Sequence, residues 1–388
     1  MRACVLILDS CGVGALPDAA KYGDSDSNTI ANTAKAVGGL NLPNLQRMGL
    51  GNIVEILGVP PAIAPSMSFG KAAQLSAGKD STVGHWEHFG IITTTPFPTY
   101  PQGFPPEIIS EFEMQTGHKA IGNKPASGTE IIKELGEQHI KTGALIVYTS
   151  GDSVFQIAAH RKIIPIEELY RCCRISRKIM TGEHGVSRII ARPFDGESGA
   201  FYRTEERHDF SLEPTSKTGL DILREAGKDV ISIGKISDLF AGEGITESNP
   251  TKSNANGIDV LIEILTRDID GLVYINLVDF DMLWGHRNDY TSFAGGLEYF
   301  DSRFPEIWSR LRAGDLFIIS ADHGCDPTTP STDHSREYIP ILTTIVGEMG
   351  NTGVNLGIRK TFSDIGATVL DLFGLRQPVG DSFLKVIK

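Results

Sequence analysis

Cysteine is scarce in this 388-residue chain, and its five copies are badly spaced for pairing. Cys172 and Cys173 are neighbours, while Cys4, Cys11 and Cys325 show no regular interval. Neither a disulfide framework nor a four-cysteine zinc site is therefore expected. Positive charge is also short: 36 Lys and Arg face 48 Asp and Glu, a net −12. That balance argues against a nucleic-acid binder held by a basic surface, and it requires any bound anion to find its positive charge locally. No run approaches the ~18 apolar residues of a membrane span. Met1–Leu8 is apolar but meets Asp9 too soon for a signal segment and lacks a cleavage site, so a soluble cytoplasmic protein is expected. The 42 glycines follow no fixed period, which excludes a collagen-like fibre. What remains is a chain long enough for a sizeable core in two domains or one large one.

Short Val, Ile and Leu runs recur and end close to an acid or a lysine: Ala3–Leu8 before Asp9, Leu145–Tyr148 before Asp152, Val230–Ile233 before Lys235, Leu272–Val278 before Asp279, and Leu316–Ile319 before Asp322. Runs of this kind predict strands buried on both faces. Helical spacing lies between them, at Pro106–Thr116, Ile166–Met180, Leu220–Ala226, Ile258–Thr266, Phe293–Arg312 and Ser363–Phe373. Gly117 is placed to close the first of these, and Ser363 and Gly374 to cap and close the last. The alternation predicts an α/β fold with a largely parallel sheet flanked by helices. The uncharged stretch from Thr93 to Pro106 carries five prolines and suits a semi-rigid hinge, and Arg207–Gly219 is polar and rich in turn residues. A smaller α/β cap domain, 97–215, is thus expected as an insertion into a core of 1–96 and 216–388. The simpler alternative is one continuous domain with a proline-rich loop.

In an open α/β sheet, ligands gather beyond the carboxyl ends of the strands. Asp9, Asp279, Asp281, Asp322 and His323 are all expected there, with His286 and His334 close by in sequence. Several buried carboxylates in one place call for a cation. Mixed Asp and His donors favour Mn or Zn over Ca. The set is too large for one tetrahedral site and suits two metals ~3.5–4 Å apart, as in phosphoryl transfer. Three carboxylates against two divalent ions leave a surplus of one positive charge, enough to attract a phosphate. A nucleophile near such ions would come from Gly78-Lys79-Asp80-Ser81-Thr82-Val83-Gly84-His85, where either Ser81 or Thr82 offers a hydroxyl that a metal or base can activate. Hydroxyls beside glycines are also ordinary turn residues, and His85 and His88 read as structural histidines.

Together, Asp9-Ser10, the stretch from Gly78 to Glu87, Asn123-Lys124-Pro125-Ala126-Ser127-Gly128-Thr129, Tyr148–Val154, Val278-Asp279-Phe280-Asp281 with Gly285-His286-Arg287, Ala321–Pro327 and Thr332-Asp333-His334 resemble the phosphopentomutases, a prokaryotic branch of the alkaline phosphatase superfamily. The resemblance runs the length of the chain. It implies an alkaline-phosphatase-like core with an inserted cap, and an isomerase that moves phosphate between C1 and C5 of ribose or 2-deoxyribose through a phosphoenzyme and a 1,5-bisphosphate. It places the nucleophile on Ser81, where the family usually has threonine. One metal would be held by Asp9, Asp322, His323 and Ser81, the other by Asp281, His286, His334 and Ser81. The implied metal is Mn2+, with a sugar bisphosphate as activating phosphoryl donor. The family pattern selects Asp281 over Asp279, which period 2 alone does not separate. It matches Asp152 to a sugar-hydroxyl contact. Arg188, Arg192, Arg203 and Lys235 are the candidates for the distal phosphate, with Lys124 a weaker one. A plain phosphatase or a different mutase on the same metal core, or a non-catalytic metal-dependent sugar-phosphate binder, is the competing reading. The implied partner is a pentose phosphate, with no nucleic acid and no membrane; the sequence leaves the oligomeric state open.

Overall fold

The computed structural model of the chain describes residues 1–151, 153–347 and 353–388. Asp152, the expected sugar-hydroxyl contact, lies outside the described residues. Among the described residues the strands in chain order are β1 (Arg2–Leu8), β2 (Ser68–Ala72), β3 (Ala120–Pro125), β4 (Leu145–Thr149), β5 (Val154–His160), β6 (Arg188–Asp195), β7 (Tyr202–Arg203), β8 (His208–Ser211), β9 (Asp229–Ile233), β10 (Glu247–Asn249), β11 (Gly271–Leu277), β12 (Leu316–Ser320), β13 (Ile339–Ile345) and β14 (Asn355–Arg359). By its internal contacts the chain divides into one unit of Met1–Thr95 with Pro214–Lys388 and a second unit of Pro96–Glu213.

The first unit carries an eight-stranded sheet in the order β10-β9-β11-β1-β12-β13-β2-β14. Strands β10, β9, β11, β1 and β12 run parallel, β13 is antiparallel to both β12 and β2, and β14 is parallel to β2. The uninterrupted Ala3–Leu8 run has a plain cause: every residue of β1 is buried, so neither face of the strand needs polar side chains. Each fully buried Val, Leu or Ile there stabilises the fold by roughly 1.5–3 kcal/mol. Two groups of helices pack in this unit. Tyr290–Trp308 lies against Thr29–Val37 and Asn254–Ile264, and Ser363–Leu372 lies against Ser81–His88 and Gly219–Glu225.

Two local expectations fail. The run Leu272–Val278 stops being a strand at Leu277, and the chain turns at once into a π-helical turn, Phe280–Trp284. Two-residue alternation therefore says nothing about Asp279 and Asp281. Ser363 is the first residue of its helix rather than its cap, and its hydroxyl donates to the carbonyl of Glu87 at 2.6 Å instead.

The second unit is built on a sheet ordered β3-β4-β5-β6-β7, with β8 also paired to β6. Side chains alternate between two cores, as the period of a strand requires. Leu145 and Val147 of β4 and Phe155 and Ile157 of β5 join Phe104, Phe112 and Leu169 on one face. Ile146, Tyr148 and Ala158 join Ile131, Phe194 and Phe201 on the other. All five cysteines of the chain are buried and free. No helix among the described residues is long and apolar enough to cross a membrane.

Helix Ser81–His88 is pinned by a single buried acid. Glu87 accepts the backbone N–H groups of Leu75, Ser76 and Phe362 at 2.8, 2.7 and 3.2 Å and the hydroxyl of Thr361 at 2.8 Å. Glu87→Ala strands these buried donors, and a loss of about 3–5 kcal/mol is expected in urea denaturation; a loss under 1 kcal/mol would contradict this account. On the same helix, His88 meets the Tyr274 hydroxyl through Nδ1 at 2.8 Å, and burial pushes its imidazole down to about 3. Between pH 6.5 and about 3 the unfolded chain takes up a proton that the folded chain refuses. Stability therefore falls as pH falls through that window, by up to about 1.4 kcal/mol per unit. His88→Gln should flatten the fall of the urea midpoint between pH 6 and 4, whereas an unchanged slope would remove His88 from the explanation.

Candidate metal centre

Strands β9, β11, β1 and β12 are adjacent and parallel, so their carboxyl ends emerge side by side. Each delivers a charged residue to one edge of the sheet: Lys235 after β9, Asp281 after β11, Asp9 after β1, and Asp322 with His323 after β12. Helix Ser81–His88 meets that edge with Ser81 as its first residue, and Asp80 caps it by accepting the Val83 N–H at 3.1 Å. Glycine is required inside this helix. A side chain at Gly84 would collide with the Asp322 carbonyl, so its absence lets the helix approach the end of β12.

The groups converge closely. Donor atoms of Asp9, Asp281 and His323 lie within 4.8 Å of one another, as do those of Asp281, His286 and His334. Asp281 Oδ1 is the shared point, 3.0 Å from His334 Nε2 and 3.3 Å from His286 Nε2. His323 Nε2 lies 3.0 Å from Ser81 Oγ, 3.2 Å from Asp322 Oδ2 and 3.5 Å from Asp9 Oδ1. Two backbone carbonyls set the imidazoles. His286 Nδ1 donates to Thr332 O at 2.7 Å and His323 Nδ1 to Gly324 O at 3.0 Å. Both rings therefore turn Nε2 inward, which is how metal-binding histidines are usually held. His85, directly behind, is buried and donates from Nδ1 to Ser81 O at 2.8 Å; burial pushes it down to about 4.

The electrostatics of this cluster call for cations. Asp9 is wholly buried, and burial together with the Asp322 charge raises its carboxyl well above the usual range. Among the described residues, neither oxygen of Asp9, nor Oδ2 of Asp322, receives a directed hydrogen bond, although Lys235 Nζ comes within 2.5 Å of Asp9 Oδ2. Although burial disfavours its charged form, His323 is driven up to about 10 by Asp322, Asp9 and Asp281. Crowded, buried carboxylates facing inward-turned imidazoles fit a divalent metal of the borderline class. A third grouping, His118, Glu168 and Cys172, does not. There Arg171 already holds both Glu168 oxygens at 2.6 and 2.7 Å.

Asp279 is not among the converging donors of the described residues; its Oδ2 accepts the Asn254 N–H at 2.7 Å and its own backbone N–H donates to Asn254 Oδ1 at 2.9 Å. Thr82 is buried whereas Ser81 is only half-buried. Lys235 lies at this edge of the sheet, its Nζ donating to Ser81 Oγ at 2.8 Å. Arg188, Arg192 and Arg203 belong to the second unit. Arg188 pairs with Asp209 at 3.4 Å and Arg192 donates to Gln156 Oε1 at 3.1 Å, while Arg203 is exposed. Lys124 is bound to Glu134 in an exposed pair at 2.6 Å.

Residues beyond the expected set hold the site together. Arg336 is buried and donates to the carbonyls of Gln74, Ser76 and Gly78, the segment leading into Lys79-Asp80-Ser81. Glu337 accepts from Thr29, Gly14 and Ser335, and Gly324 is glycine because Glu337 occupies the place of its side chain. Ser10, which stands in the Asp9-Ser10 motif, bonds to two of the carboxylates. A local sequence pattern signals none of these roles.

The family model of the metalloenzyme superfamily matches residues 1–377. The chain is 55% identical over 382 residues to a phosphopentomutase of Carboxydothermus hydrogenoformans, covering 98% of each chain. It is 57% identical over 388 residues to one of Dictyoglomus thermophilum, covering 100% of this chain and 98% of that protein. In fold it is similar to the PH0037 protein from Pyrococcus horikoshii, with a TM-score of 0.50 at 14% identity and 98% of both chains covered. Full-length identity above one half and the family-model match agree: the chain belongs to the phosphopentomutase family of isomerases, within the metalloenzyme superfamily.

Proposed function

We propose that this enzyme interconverts ribose or 2-deoxyribose 1-phosphate and 5-phosphate, acting in the cytoplasm on free pentose phosphates. The observation that carries the reading is the setting of Ser81 Oγ, 2.8 Å from Lys235 Nζ and 3.0 Å from His323 Nε2. In this scheme phosphate rests on Ser81 and passes to the free hydroxyl of the bound sugar phosphate, giving a 1,5-bisphosphate. The phosphate at the other end then returns to Ser81 and the isomer leaves. A sugar bisphosphate loads Ser81 at the outset.

Asp9, Asp322 and His323 would hold one divalent ion and Asp281, His286 and His334 the other, with Ser81 touching both. Manganese suits the mixed donors, and such ions supply Lewis-acid stabilisation of phosphoryl oxygens and ease ionisation of the serine hydroxyl. Lys235 donates to Ser81 Oγ and remains beside the phosphoryl group once it is attached, offsetting its charge. Helix Ser81–His88 adds its N-terminal dipole at the same atom. The second unit is assigned the cap role: its Arg188, Arg192 and Arg203, with Asp152, are the candidates for the far phosphate and the sugar hydroxyls. Exclusion of water by that unit would favour transfer over hydrolysis.

Ribose 1-phosphate should yield ribose 5-phosphate; release of inorganic phosphate alone would make the enzyme a phosphatase. Ser81→Ala should lower turnover by at least about 10^3-fold while leaving metal binding largely intact. After incubation with ribose 1,5-bisphosphate, intact mass should show one added phosphoryl group on the wild type and none on the variant. A phosphorylated variant would move the nucleophile to Thr82. Chelation should lower the melting temperature, and Mn2+ at a hundredfold excess over its Kd should restore about 2.7 kcal/mol of stability. A melting curve indifferent to both treatments would remove the metal from the scheme.

A further inference from the structure

We propose that Ser10 is a positioning residue of the metal centre: its hydroxyl aims the Asp281 carboxylate and its backbone N–H aims that of Asp322. This rests on the metal-centre reading above and extends it to a residue that binds neither ion. Ser10 follows β1, the strand between β11 and β12, and is completely buried. Its Oγ donates to Asp281 Oδ1 at 2.9 Å, the same oxygen approached by His334 and His286. Its N–H donates to Asp322 Oδ1 at 3.1 Å. Its carbonyl accepts the N–H groups of Gly12 at 3.0 Å and Cys325 at 3.1 Å, so every polar group of the residue is engaged.

The backbone makes the arrangement informative. Ser10 has φ 64°, in the left-handed region, which serine enters at a cost and glycine does not. Asn123, Ala241 and Asn288 also have positive φ, and two of these three are asparagines, which tolerate it. A turn that needed only this φ would be served better by glycine. Serine supplies one thing glycine lacks, a hydroxyl, and that hydroxyl is spent on Asp281. The need is specific, because Asp281 sits on a π-helical turn beyond the end of β11, where no strand register fixes its side chain.

The test is calorimetric titration of Mn2+ into chelator-stripped, dialysed protein, with the metal-free melting temperature measured beside it. Ser10→Gly should bind Mn2+ 10–100-fold more weakly, the usual effect of removing a partner that orients a ligand. Its metal-free melting temperature should be unchanged or higher, since glycine takes this φ without strain. Ser10→Ala, which keeps the side of the turn filled but lacks the hydroxyl, should show the same loss of affinity. Asp281→Asn is the control for the underlying reading and should bind Mn2+ more weakly still. If Asp281→Asn is impaired and Ser10→Gly binds like the wild type, the positioning role falls and the metal centre stands. A metal-free Ser10→Gly that melts clearly lower would make Ser10 a structural residue and overturn the proposal. An Asp281→Asn variant with wild-type affinity would reject the metal centre itself.

Discussion

Like charges forced together at the end of a sheet are the constraint from which the rest of this molecule follows. Four parallel strands, β9, β11, β1 and β12, stop at a common edge. The chain that continues from three of them brings Asp281, Asp9 and Asp322 together, Asp9 and Asp322 wholly and Asp281 largely shielded from water. Carboxylates so placed repel one another and have lost their hydration, and a low local dielectric magnifies both effects. Only concentrated positive charge relieves them. The imidazoles of His323, His334 and His286, the ammonium of Lys235 and the hydroxyl of Ser81 are arranged round the same point. A fold that gathers anions in this way is prepared for divalent metal, and through metal for phosphate, despite a net charge of −12.

Such a cluster keeps its geometry only if the segments that carry it cannot drift. Three buried ionic residues serve this purpose. Glu87 ties helix Ser81–His88 to the Leu75–Ser76 and Thr361–Phe362 segments. Arg336 gathers the carbonyls that lead into Ser81. Glu337 anchors the turn after β1 and the segment around Ser335. Each satisfies several backbone groups at once, which is why burying its charge is tolerable. Glycine does the complementary work: Gly84 and Gly324 leave room where a side chain would push the Asp322 backbone or the Glu337 carboxylate away.

Much of this was legible in the residues. The strands that deliver the ligands are apolar throughout because both faces are buried, so Ala3–Leu8 and Leu316–Ile319 announce themselves. An acid directly after such a run stands out, as Asp9 does. Legibility ends where the backbone leaves regular structure. Leu272–Val278 reads as a strand up to Asp279, yet the π-helical turn that follows sends Asp281 into the centre and Asp279 toward Asn254. Ser363 looks like a helix cap, yet Glu87's carbonyl claims its hydroxyl across some 276 residues of sequence. Lys235 reads as one more cation for a distant phosphate, and only the adjacency of β9 and β11 brings it to Ser81.

The sequence by itself determined the fold class, the absence of disulfide pairing, the chemical nature of the donors and, through its motifs, the family. Local composition carries that information, because burial, period and ligand type are properties of single residues and their near neighbours. Tertiary structure alone decided which acids meet, which ring nitrogen faces inward, where Lys235 stands and why Ser10 bears a strained backbone. Each of those depends on strand order and on backbone groups hundreds of residues apart, and the free energy of such contacts is set by distances that no linear pattern contains.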